Sequence, residues 1–140
     1  MYGMAAGSFV VITTRKVSIM KYVLLFYTTR EQQQAWEALP EQTRNEQYAK
    51  TGRWVAEHAA QITTANKFQP PHTATTVRFE GDALIHDGPF IEANEIIGGY
   101  AEIDVADLDE ALRLVKSWPA RGDIVEIRPV EIRPGRAGER

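Results

Sequence analysis

The chain has 140 residues, 44% of them hydrophobic and 25% charged, with a formal net charge of -3. That length supports one domain with one modest core, and the acidic balance argues against a duplex nucleic-acid surface, which needs a basic excess. No apolar run reaches the length of a membrane-spanning helix, and the absence of cysteine removes disulfides, thiolate catalysis and thiolate zinc sites and fits a reducing cytoplasm, the expected location.

Residues 1–19 hold an apolar patch, Phe9 to Ile12, ahead of Arg15 and Lys16. A secretory signal carries its positive charge before the apolar run, so the order is reversed. The segment reads as a flexible extension, and Met20 as the start of the domain proper. Lys21 to Thr28 is apolar on consecutive residues and rich in aromatic and β-preferring types, which predicts a strand covered on both faces. Thr29 to Pro40 is polar and leads into a helix over Glu41 to Ala60, where Tyr48, Thr51, Val55 and Ala59 make a weak apolar stripe. Ile62 to Phe68 predicts a second strand, stopped by Pro70 and Pro71.

Thr73 to Glu80 alternates as a strand. Gly81-Asp82 marks a tight turn, and Ala83 to His86 returns as the other arm of a hairpin. Asp87-Gly88-Pro89 ends that arm, because Pro89 has no amide to donate to a ladder. Gly98 to Val105 predicts a strand with Ala101, Ile103 and Val105 on one face. Asp107 and Glu110 then form a capping pair for a helix whose buried stripe is Leu108, Ala111, Leu112 and Val115. Asp123 to Val130 is the last strand, and residues 133–140 form a basic, solvated tail.

The order βαββαβ, with a small extra arm near residue 84, predicts a ferredoxin-like α+β sandwich with both helices on one face of the sheet. Tyr22, Leu24 and Phe26 alternate with Val23, Leu25 and Tyr27, and both sets are apolar. The face without helices is therefore expected to meet a second copy of the chain, giving a homodimer packed sheet against sheet.

Several segments together resemble the YCII-related, or DGPF-domain, family: Met20 to Tyr27, Gln69-Pro-Pro with Thr73 to Arg78, Asp87-Gly-Pro-Phe90, Glu92-Ala-Asn-Glu95, Gly98-Gly-Tyr100, Asp107 to Ala111 and Val125 to Val130. The likeness runs over residues 20–132 and leaves the extension and the basic tail outside. It implies a dimeric α/β-barrel. Relatives in the YCII branch carry a histidine–aspartate pair proposed as catalytic, with the histidine on the first helix. The surroundings of His58 do not match that pattern, so the role does not pass to it. Relatives in the branch nearer this chain are often encoded beside extracytoplasmic-function sigma factors, which implies an alternative, non-enzymatic regulatory or interaction role.

For chemistry, Asp87 is the first candidate. A carboxylate in a rigid turn beside a cleft can act as a general acid or base, and can equally well cap nearby amides. Glu92 and Glu95 share a face if their segment is helical, and with Asp87 they offer either an oxygen-rich metal site or a solvated acidic loop. The spacing matches no metal motif, so no metal or cofactor is expected. His72 and His86 flank the hairpin, as proton-transfer groups or as exposed polar ones, while His58 reads as a helix-surface residue. Arg78 and Tyr100 can bind an anionic or carbonyl-bearing ligand, the other reading of Arg78 being an ion pair with Glu102 or Asp104. Tyr27, Trp36 and Trp54 line a pocket or pack the core. Gly98 and Gly99 permit close backbone approach. The function these residues imply is small-molecule binding, with acid–base chemistry at Asp87 as the enzymatic extension.

Overall fold

The apolar run after Met20 becomes a ten-residue strand, β1 (Met20–Thr29), near the middle of a four-stranded sheet. A computed structural model describes residues 19–87, 94–120 and 122–134, with 83–87 described by their backbone. After β1 come α1 (Arg30–Glu37), α2 (Glu41–Glu57), β2 (Ile62–Lys67), a 3-10 turn (Pro71–Thr73), β3 (Thr75–Glu80), β4 (Asp82–Asp87), β5 (Glu95–Val105), α3 (Leu108–Lys116) and β6 (Ile124–Pro129). The main sheet is antiparallel in the order β2-β5-β1-β6. Strands β3 and β4 form their own two-stranded sheet, turning at Gly81, whose φ of 74° is a conformation that favours glycine. The result is an α+β fold with ferredoxin-like strand order.

The polar lead-in over Thr29 to Pro40 is itself a helix, which corrects the sequence reading. Thr29 Oγ1 accepts from the Gln32 amide and Gln32 Oε1 accepts from the Thr29 amide, both at 3.0 Å. This reciprocal cap offsets the weak apolar pattern that hid the helix. In α2 the buried residue is Trp54 rather than a member of the expected stripe; Val55 packs beside it, Tyr48 is exposed and Ala59 lies beyond the helix.

Helix α3 starts as expected at Asp107, whose Oδ1 accepts from the Glu110 amide at 2.9 Å. The Glu110 carboxylate reaches one residue further back than a reciprocal cap would, to the Ala106 amide at 2.7 Å. The predicted stripe is corrected as well. Leu108 and Leu112 are 50% and 38% exposed, and the line Ala111, Leu114, Val115, Trp118 packs against the core. That line has the i, i+3, i+4, i+7 spacing of one helical face.

The core forms where Tyr22 and Leu24 of β1, Ile62 at the start of β2, and Ala101, Ile103 and Val105 of β5 meet Trp54, Ala111 and Leu114. By alternation Val23 and Leu25 lie on the opposite face, half-buried and outside that cluster. Around them Lys21 pairs with Asp104 at 2.9 Å and Glu102 at 3.6 Å, and Tyr27 donates to Glu126 at 2.9 Å. Among the described residues, the core cluster and the helices that contribute to it lie on one face of β1.

The glycine pair divides its work. Gly98 is the extra residue where the β1–β5 register shifts, and its carbonyl accepts from the Phe68 amide at 2.8 Å. A side chain on Gly99 would put its Cβ 2.8 Å from the Asn66 carbonyl oxygen of β2, so close approach is required at Gly99 alone.

Candidate functional site

A cleft of about 450 Å³ lies between the α1–α2 pair and the sheet, closed at one end by the connection from α3 to β6. Helices α1 and α2 give it Gln32, Gln33 and Trp36, and Gln47, Tyr48, Thr51, Gly52, Trp54 and Val55. The sheet gives Phe26 to Thr28, Ala65 to Lys67 and Gly98 to Ala101, and the closing connection gives Trp118, Ala120, Gly122 and Asp123.

The rings hold one another in place. Trp118 lies 4.5 Å from Phe26 and 4.9 Å edge-on to Trp54, while Trp36 and Tyr48 meet edge-on at 5.3 Å and join α1 to α2. Trp54 Nε1 donates to Ser117 Oγ at 2.8 Å, and Ser117 Oγ donates to the Leu114 carbonyl at 2.6 Å. Indole N–H groups this far from bulk water need such partners. Trp118 finds its partner in Asp123, donating from Nε1 to Oδ2 at 3.1 Å.

Asp123 is the half-buried carboxylate of this cleft. Burial raises its carboxyl above the usual aspartate value, against the smaller opposing pulls of the Trp118 hydrogen bond and the Lys67 charge. Lys67, at the end of β2, is exposed. Nearby, Asn66 Nδ2 donates to the Tyr100 hydroxyl at 3.2 Å, and the Tyr100 ring stacks on Phe68 at 5.6 Å. Gln32 ties α1 to the closing connection by donating to the Gly122 carbonyl at 3.5 Å. The lining thus combines apolar rings, neutral amides and hydroxyls, one carboxylate and one ammonium among the described residues.

The model of the YCII-related domain matches residues 20–132, from the first residue of β1 to beyond β6. The chain belongs to the YCII-related domain family. An uncharacterised protein of Rhizobium meliloti is similar to it, 30% identical over 122 residues that cover 83% of this chain and 97% of that protein.

Against this YCII-related fold the sequence candidates fall in different places. Asp87 closes β4, its backbone opposite Thr75, and His86 precedes it opposite Thr76; the side chains of both, like Glu92 and the rest of the Asp-Gly-Pro-Phe motif, lie outside what is described. Glu95 opens β5 opposite Thr29 and is exposed. His72 is exposed in the 3-10 turn. Arg78 stands on the separate hairpin, 3.9 Å from Glu80, while Glu102 and Asp104 take Lys21 instead. Tyr100 lines the cleft, together with Tyr27, Trp36 and Trp54. His58 caps α2 rather than standing free on its surface: its Nδ1–H donates to the Trp54 carbonyl at 2.7 Å, and its ring lies 5.0 Å from the indole.

Sequence reasoning missed Asp123, Lys67 and Trp118 as cleft residues. A signal existed in the run Trp118-Pro-Ala-Arg-Gly-Asp123, where an aromatic ring and a carboxylate bracket a turn between a helix and a strand. Reading that run only as a helix stop passed over it. No helix among the described residues is long and apolar enough to cross a membrane.

Proposed function

We infer that this YCII-related protein binds a small organic molecule in the cleft between α1, α2 and the sheet. The observation that carries the reading is a cleft of about 450 Å³ with aromatic walls and a few polar groups, the size and chemistry of small-ligand sites. Asp87 remains the proposed acid–base residue of the sequence motif, with Arg78, Glu92, Glu95, Tyr100 and His72 as the other proposed ligand contacts; of the described ones, Tyr100 is on the lining of this cleft, and a role for Arg78, Glu95 and His72 needs a ligand that reaches beyond it.

The test is ligand-induced stabilisation across a metabolite panel, for the wild type, Asp87→Asn and Gly52→Leu. A Cβ on Gly52 meets nothing within 4 Å and Gly52 lines the cleft, so a leucine there projects apolar bulk into it. A ligand that binds the folded state raises its melting temperature by mass action. The expected result is a shift in the wild type that Gly52→Leu abolishes. No shift from any panel member, or a shift that persists in Gly52→Leu, overturns the reading. Turnover of the bound compound that Asp87→Asn removes supports the enzymatic extension, and turnover it leaves intact rejects Asp87.

The proposed assembly is a homodimer forming a dimeric α/β-barrel through the face of Val23 and Leu25. The support is that Val23 and Leu25 are half-buried and lie outside the core cluster of the described residues, and half-covered apolar faces tend to be buried in oligomers.

A further inference from the structure

We propose that the cleft selects a small organic ammonium with an aromatic body, received by the carboxylate of Asp123 beside the ring of Trp118. This inference rests on the small-molecule reading and narrows its ligand. The carboxylate is half-buried in the cleft and is fixed on one side, where Trp118 Nε1 donates to Oδ2 at 3.1 Å. An ionised carboxylate accepts at both oxygens, at about four positions in all. Among the described residues Oδ1 has no hydrogen-bond donor and no cation lies within ion-pairing distance of the group, Lys67 acting on it from further away. A donor from a ligand completes the set.

The walls agree with that charge. Trp118, Trp54 and Phe26 form one contiguous set of rings, with centroid separations of 4.5 Å and 4.9 Å. Ring faces attract organic cations, and most strongly where water is displaced. An apolar body set against the half-buried rings of Phe26 and Trp118, with Trp54 packed behind them, brings an attached ammonium to Asp123, where charge and hydrogen bond act together.

Lys67 is the opposing feature, since an ammonium on the lining attracts anions. It is exposed, so its charge stays hydrated and screened, whereas Asp123 is half-buried. The negative group therefore sets the sign of the ligand.

Three probes of one carbon skeleton decide the matter: phenethylamine, phenethyl alcohol and phenylacetate, measured by calorimetry on the full chain. Phenethylamine is expected to bind at least about tenfold more tightly than the other two, a difference of about 1.4 kcal/mol. Asp123→Asn keeps the acceptor for Trp118 and removes the charge, and is expected to weaken phenethylamine at least about tenfold while leaving the alcohol unchanged. Lys67→Met is expected to leave phenethylamine binding intact or stronger. Binding of phenylacetate or the alcohol in preference to the amine overturns this inference and leaves the small-molecule reading standing. Equal amine affinity in wild type and Asp123→Asn overturns it too. Failure of all three probes to bind the wild type, when a panel compound does bind in the cleft, rejects the ammonium class alone; failure of every compound rejects both readings.

Discussion

Trp118 and Asp123 are joined by a 3.1 Å hydrogen bond across the turn that connects α3 to β6. The bond fixes the indole against Phe26 and Trp54 and fixes a carboxylate at the cleft wall. A single local contact thus positions both an apolar surface and a charge.

The first prediction concerns the sign of the Asp123 contribution to stability. Burial is the largest influence on its carboxyl and raises it above the ordinary 3.8. Between the ordinary and the raised value the folded state binds more protons than the unfolded one. This contribution is therefore fully present below the ordinary value and is lost as pH rises through the raised value. Asp123→Asn is expected to remove that loss and to be at least as stable as wild type at neutral pH. Urea midpoints compared at about pH 4 and about pH 7 check it; a clear drop in the mutant midpoint at neutral pH contradicts it.

Glu110 acts with the opposite sign. The Ala106 amide, and then the Gln61 side chain at 2.6 Å, hold its carboxyl below the ordinary 4.5. Its contribution is present above the ordinary value and is lost as pH falls through the lowered one. Glu110→Gln is expected to flatten the acid limb of the stability profile, with the gap from wild type largest at neutral pH. Equal slopes in the two proteins below about pH 4.5 would reject the role assigned to this residue.

Trp54 is the central core ring at 4% exposure. Trp54→Ala is expected to cost about 3–5 kcal/mol through the cavity it leaves. Trp54→Phe keeps most of the ring contact and loses the bond to Ser117, whose hydroxyl still donates to Leu114. It is expected to cost about 1–2 kcal/mol. Chemical denaturation of the two variants measures both; similar losses would mean that the hydrogen bond, not the packing, dominates.

Three glycines separate backbone space from helix propensity. Gly99→Ala forces a Cβ to within 2.8 Å of the Asn66 carbonyl oxygen and is expected to cost about 1–3 kcal/mol. Gly98→Ala meets nothing closer than 3.8 Å and is expected to cost less than about 1 kcal/mol. Gly52→Ala, in the middle of α2 with open space around its Cβ, is expected to stabilise by about 0.5–1 kcal/mol. Urea midpoints in the order Gly52→Ala, wild type, Gly98→Ala, Gly99→Ala are the expected outcome.

The proposed assembly gives a last prediction. Leu25→Arg places a charge at the centre of the face without core helices. It is expected to convert a dimer into a monomer in light scattering behind a sizing column, with the far-ultraviolet spectrum unchanged. A wild type that runs as a monomer at high concentration removes the assembly from the account.

Much of the frame was legible in the sequence because strands and caps are local. The alternation of Ala101, Ile103 and Val105 gives their buried face directly, and Asp107 announces the start of α3. Helix α1 was not legible, because its cap is a reciprocal pair while its body carries little apolar pattern. The stripe of α3 was misread because Leu108 and Leu112 are as apolar as the residues that replace them. Only docking on the sheet turns Leu114 and Trp118 inward.

The amino-acid order by itself determined strand positions, the capped entry to α3, the hairpin turn at Gly81 and membership of the YCII-related family. Each depends on neighbours a few residues apart, or on a pattern shared along the whole chain. The tertiary structure decided which side chains meet in the cleft. Phe26, Trp36, Trp54, Lys67 and Asp123 are scattered over nearly one hundred positions, and only the crossing of two helices over one sheet brings them around a shared space. The charge of Asp123 gains its significance there, because burial is a property of the assembled fold and not of the residue.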